Sequence, residues 1–120
     1  MSSLLSKTLV ITLIFLGEAL FIYVEMVVAK SYNLTDKSFF SVFIKALPFS
    51  IIFGSLIIAG YTLGLKAFQN IWIVSVTSIT SILIMEPVLA YLVVGQTPTR
   101  GALIGFILGA TGLISALFIE

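Results

Sequence analysis

Three glutamates stand inside otherwise apolar stretches of this chain: Glu18, Glu25 and Glu86. An ionised carboxylate at the centre of a bilayer costs at least about 2.5 kcal/mol, so such groups face a protein interior or a water-filled cavity. Low dielectric disfavours the ionised form. A carboxylate held there can carry either a proton or a cationic ligand. If one displaces the other, mass action couples the two. Other chemistries are poorly provided for. The chain has no histidine and no cysteine, which removes imidazole relays, thiolate nucleophiles and disulfides. With no Ser/His or Cys/His set and no metal-ligand cluster, no enzyme activity, metal site or cofactor is expected.

The three acids differ in their surroundings. Glu18 is the deepest and has no basic residue within a helical turn, which points to a functional role. Glu25 follows seven residues later. That spacing puts both carboxylates on one helix face, about 10.5 Å apart along the axis. Glu25 also lies five residues before Lys30, so a snorkelling or lysine-paired role is open beside a functional one. Glu86 precedes Pro87, whose ring and missing N–H kink a helix. Glu86 is therefore either a protonated acid bonded to a nearby carbonyl or part of the working site. Tyr23, Tyr61 and Tyr91 offer aromatic faces to a cation, although tyrosine is common at membrane interfaces without that role. The residues nominated for substrate and proton binding are Glu18, Glu25, Glu86 and Tyr23.

The elements that must hold these residues follow from composition. Of 120 residues, 60% are hydrophobic and 9% charged, whereas soluble domains carry about 25% charged residues. Four apolar runs are visible, at about 8–29, 42–65, 71–94 and 102–119. Each has roughly the 17–25 residues that cross a hydrocarbon core. Only helices or closed barrels satisfy their backbones in lipid. Barrel strands alternate apolar and polar residues, and these runs do not. The expected fold is an all-α integral membrane protein, a four-transmembrane-helix bundle forming one domain over residues 1–120. The first run is too long for a signal-peptide core and lacks a clear cleavage site after it, so it is expected to be retained.

Connections should be short: Ser31 to Ser41 with Asp36 as an N-cap, Lys66 to Asn70, and Gly95 to Gly101. None is large enough for a soluble catalytic site. Lys7 and Lys66 fall on one side, against Lys30, Lys37, Lys45 and Arg100 on the other. The positive-inside rule then favours the first and third loops in the cytoplasm. The bias is small enough to leave dual insertion open. A net charge of +1 gives no reason to expect nucleic acid.

Gly101, Gly105, Gly109 and Gly112 form a narrow stripe on the fourth run, continued by Ala116. Small residues at this spacing let helix backbones approach closely. Packing inside one bundle is one reading. Four helices enclose little cavity, so a dimer interface through this face is favoured. Gly54, Gly60 and Gly64 give the second run a weaker stripe of the same kind.

The segment from Gly95 to Ile114, with its Gly-Gln turn and Ile104-Gly105-x-x-Leu108-x-x-x-Gly112 pattern, resembles the final hairpin of the drug/metabolite transporter superfamily. Met85-Glu86-Pro87-Val88-Leu89-Ala90 resembles the preceding helix of its EamA-like branch. Length and helix count resemble the small multidrug resistance (SMR) family, four-helix chains that pair as dimers. In that family an acid in the middle of the first helix binds protons and cationic substrates competitively, the place held here by Glu18. The family's third helix also carries a tryptophan and a tyrosine. Ungapped alignment on the Gly95-Gln96 turn puts Ser78 and Ser75 there, while Trp72 lies two turns earlier.

The resemblance implies proton-coupled export of small cationic or polar compounds by a homodimer, or a heterodimer with a paralogue, in a bacterial or archaeal cytoplasmic membrane. Expected partners are membrane lipid, the second chain and a small-molecule substrate. Two alternatives stay open. One is a polyprenyl-phosphate or lipid-linked sugar flippase subunit, with Lys45, Lys66 and Arg100 as candidate phosphate contacts. The other is a non-transporting helper that packs against a larger membrane complex.

Overall fold

The computed structural model describes residues 3–34 and 36–119; Met1, Ser2, Glu120 and Thr35, which falls in the expected first loop, lie outside them. Four helices account for nearly all of this: α1 (Ser3–Leu34), α2 (Phe39–Phe68), α3 (Ile71–Leu89, continued by a π-helical turn over Ala90–Val94) and α4 (Arg100–Phe118). No strand occurs among the described residues. All four are long and apolar enough to cross a membrane, at 32, 30, 24 and 19 residues, as an integral membrane protein requires.

The first two helices run well past the apolar runs that announce them. Serines, lysines and asparagine at their ends extend the hydrogen-bonded ladder into the polar interface, where hydropathy no longer marks it. The first loop shrinks accordingly. Ser38, not Asp36, is the N-cap of α2, its hydroxyl accepting from the Ser41 amide at 3.2 Å. At the other end of α2, Gln69 adopts the left-handed conformation (φ 55°) and Asn70 caps α3 by accepting from Trp72 N. Two residues thus reverse the chain. Thr99 caps α4 in the same way.

α3 remains helical through Pro87. The helix passes through it to Leu89 and then widens into the π turn, which Gly95 closes at φ 80° by donating to Ala90 O and Tyr91 O. Proline supplies no N–H to the carbonyl one turn before it. Re-registering the ladder just beyond it keeps the later backbone groups paired.

Short loops make successive helices antiparallel, so α1 and α3 run in the same sense. The packing is unequal. α1 packs most extensively on α2 and next on α3, whereas α4, among the described residues, packs closely on α3 alone. The Cα trace measures 50 × 35 × 18 Å, about two packed helices deep. Because α4 packs on neither α1 nor α2 among the described residues, the four helices do not form a closed ring.

The tightest crossing lies between α1 and α2. A Cβ at Gly60 would sit 2.6 Å from Cγ1 of Ile14, and one at Gly17 2.8 Å from Cγ1 of Ile57. One at Gly64 would meet Val74 at 2.9 Å and Val10 at 3.0 Å. Val10, Ile14 and Val74 are the buried cluster that these glycines admit. The Gly60-x-x-x-Gly64 pair on α2 is thus the one used inside the chain. On α4, by contrast, Gly105 and Gly112 meet nothing within 4 Å, and only Gly109 touches α3, through Leu83.

Candidate functional site

Glu18 lies on the face of α1 that meets α3, flanked by the buried residues Ile14, Gly17 and Ile22. Its Oε1 accepts a 2.6 Å hydrogen bond from the hydroxyl of Ser78 on α3. Ser78 is only 4% exposed. The distance is that of a hydroxyl bonded to a carboxylate. Most helix hydroxyls here turn back on their own backbone: Thr8, Thr12, Thr77 and Ser81 each donate to the carbonyl four residues before. Ser78 instead reaches across to another helix. Among the described residues no lysine or arginine pairs with Glu18. The nearest cations on its own helix, Lys7 and Lys30, stand eleven and twelve residues away, about 16 and 18 Å along the axis.

The Ser78–Glu18 contact sets the register of α1 against α3. Glu25 lies seven residues beyond Glu18, and Glu86 eight beyond Ser78. With both helices running the same way, the two acids reach similar heights, within about 2 Å along the axis. Glu18 stands seven residues from Glu25 on α1, about 10.5 Å along the axis. The register thus sets Glu25 of α1 and Glu86 of α3 at one level, about two helical turns from Glu18.

Lys30 is not the partner of Glu25. Its ammonium donates to Val93 O at 2.9 Å, neutralising the carbonyl-rich end of the π turn. A lone cation five residues away has a better use there than a mobile ion pair at the membrane edge.

Two apolar grooves flank the line along which α1 meets α2, sharing Val24, Val28, Val42 and Ala46 as their common wall. One, of 520 Å³, lies on the side of α1 that carries Glu25 and is lined also by Phe21, Tyr32, Phe39 and Phe43. A carboxylate at the edge of an aromatic groove suits an organic cation, which gains from both the charge and the ring faces. Tyr23 lines the other groove, of 440 Å³, with Lys37 and Lys45. It lies about 140° around the helix from Glu18 and does not join the acids. Tyr91 and Trp72 are exposed, and Tyr61 packs against the Val10–Ile14–Val74 cluster. The three cations nominated for a phosphate are not gathered either, since Lys45 and Lys66 are 21 residues apart on α2, about 31 Å.

The sequence did not mark Ser78 as a site residue. Its one signal was position: ungapped placement set Ser78, with Ser75, where the resembled family has aromatic residues. No protein-family model, curated protein or solved structure matches the chain. The functional reading therefore rests on the geometry of this site.

Proposed function

We propose that this chain is a membrane transporter of the drug/metabolite type, exporting small cationic or polar compounds in exchange for protons, with Glu18 as the exchange point. One observation carries the reading. Glu18 sits half-buried midway along α1, with a serine hydroxyl as its partner and no cation beside it. A serine hydroxyl has one donor hydrogen and two acceptor lone pairs. It can donate to the carboxylate or accept from the carboxylic acid, so Ser78 leaves Glu18 satisfied in either state. Such a group releases its proton when a cation binds and recovers it when the cation leaves, with no buried polar atom stranded at either stage.

Glu25 and Glu86 extend acidic character from this point toward the α1–α2 loop, and the aromatic groove beside Glu25 supplies the apolar contact for an organic cation. The unpartnered Gly105–Gly112 face of α4 and the thinness of one chain favour a working homodimer. No bond-making chemistry is assigned to the protein.

The test is proton release from detergent-solubilised protein in weak buffer, on addition of a panel of organic cations. Wild-type protein should release protons on binding, and Glu18→Gln should release none. Unchanged release in Glu18→Gln, or cation binding without release in wild type, would overturn the reading.

A further inference from the structure

The groove on the far side of the α1–α2 contact carries the opposite charge to the acidic one. Its walls are apolar, including Leu20, Val27, Phe49 and Phe53, and the charged residues lining it are Lys37 and Lys45. Lys37 precedes α2 and Lys45 lies in its second turn, so both ammonium groups belong to the loop end of the groove, where a lipid headgroup region would lie. From Ser31 to Leu20 the groove runs along eleven residues of α1, about 16 Å. That is close to half of the roughly 30 Å hydrocarbon core, the depth of one leaflet. The apolar floor at Leu20 and Phe53 is therefore level with the bilayer centre when the lysines are level with headgroups.

We infer that this groove is a binding site for one anionic membrane lipid, its phosphate held by Lys37 and Lys45 and one acyl chain laid between α1 and α2. Charge complementarity selects the occupant. A zwitterionic lipid would fill the apolar part equally well but offers less net charge to two ammonium groups. A cationic substrate is repelled by the same pair, which keeps it to the opposite groove. The site is separate from Glu18 and stands or falls independently of transport.

The experiment is native mass spectrometry of the full chain released from detergent, with phosphatidylglycerol or phosphatidylcholine supplied at equal concentration. Wild-type protein should retain one phosphatidylglycerol per chain at least ten-fold more often than phosphatidylcholine. Lys37→Gln with Lys45→Gln should abolish that preference, and Val27→Trp, which fills the groove while keeping both lysines, should lower retention of either lipid. Lys7→Gln with Lys66→Gln, at the opposite end of the helices, should change nothing. Equal retention of the two lipids by wild type would overturn the proposal. So would a preference that survives loss of Lys37 and Lys45, or retention unaffected by Val27→Trp.

Discussion

The hydroxyl of Ser78 donates to Oε1 of Glu18 across 2.6 Å, joining the middle of α3 to the middle of α1. This bond pairs a buried hydroxyl with the acid midway along α1, and it sets Glu25 and Glu86 at similar heights.

Replacing Ser78 with Ala removes the hydrogen bond but keeps the packing volume nearly unchanged. A hydrogen bond to a charged group contributes about 1.5–3 kcal/mol. Cation affinity at fixed pH should fall by roughly ten-fold or more, as a 1.4 kcal/mol loss is a factor of ten. Ser78→Thr, which keeps the hydroxyl, should retain most of it. Isothermal titration with an organic cation checks both, and wild-type affinity in Ser78→Ala would remove Ser78 from the site.

The three acids should act as a coupled set with unequal links. In double-mutant cycles of Glu→Gln substitutions read by cation affinity, the Glu25–Glu86 coupling should exceed the Glu25–Glu18 coupling, because the register puts Glu25 and Glu86 within about 2 Å in height while Glu18 lies about 10.5 Å along the axis from Glu25. The reverse order would contradict the register drawn from Ser78 and Glu18.

Glycines on α2 and α4 should respond differently. Gly60→Ala places a methyl 2.6 Å from Ile14 and should cost about 1–3 kcal/mol through overpacking. Thermal unfolding in detergent, followed by circular dichroism, should show it as a clear drop in midpoint. Gly105→Ala and Gly112→Ala, with open space around both positions, should leave the single chain's midpoint within error.

Larger residues on α4 test the proposed dimer. Gly105→Leu with Gly112→Leu should leave helix content unchanged while shifting native mass spectra from dimer to monomer. A dimer that persists places its interface elsewhere.

Lys30→Met removes the ammonium that caps Val93 O. The end of α3 should loosen by about 1 kcal/mol, seen as faster amide hydrogen exchange in the peptide covering the π turn and Gly95. Lys30→Arg should restore protection. No change in exchange would show that the π turn holds itself.

The chain's own residues determine that there are four helices long and apolar enough to span a membrane, and where the acids lie along them. Run length and residue type are local properties, and backbone satisfaction in lipid leaves little choice once a run is long enough. Limits set by polar ends were less legible. Ser38 rather than Asp36 caps α2, and Pro87 is carried through α3, because cap and ladder geometry depend on where the chain turns.

Facing is what only the tertiary structure decides. In a soluble helix the apolar stripe names the buried side. In a membrane chain lipid-facing and packed surfaces are alike apolar, so Ile14 at the centre of the core and exposed Ile11 look the same in sequence. For that reason the stronger glycine stripe, on α4, proved the less used within the chain, and Gly60 and Gly64 made the close crossing. The same ambiguity hid Ser78. A serine among the alternating serines and threonines of α3 gains its meaning only when α3 lies beside α1 at the height of Glu18.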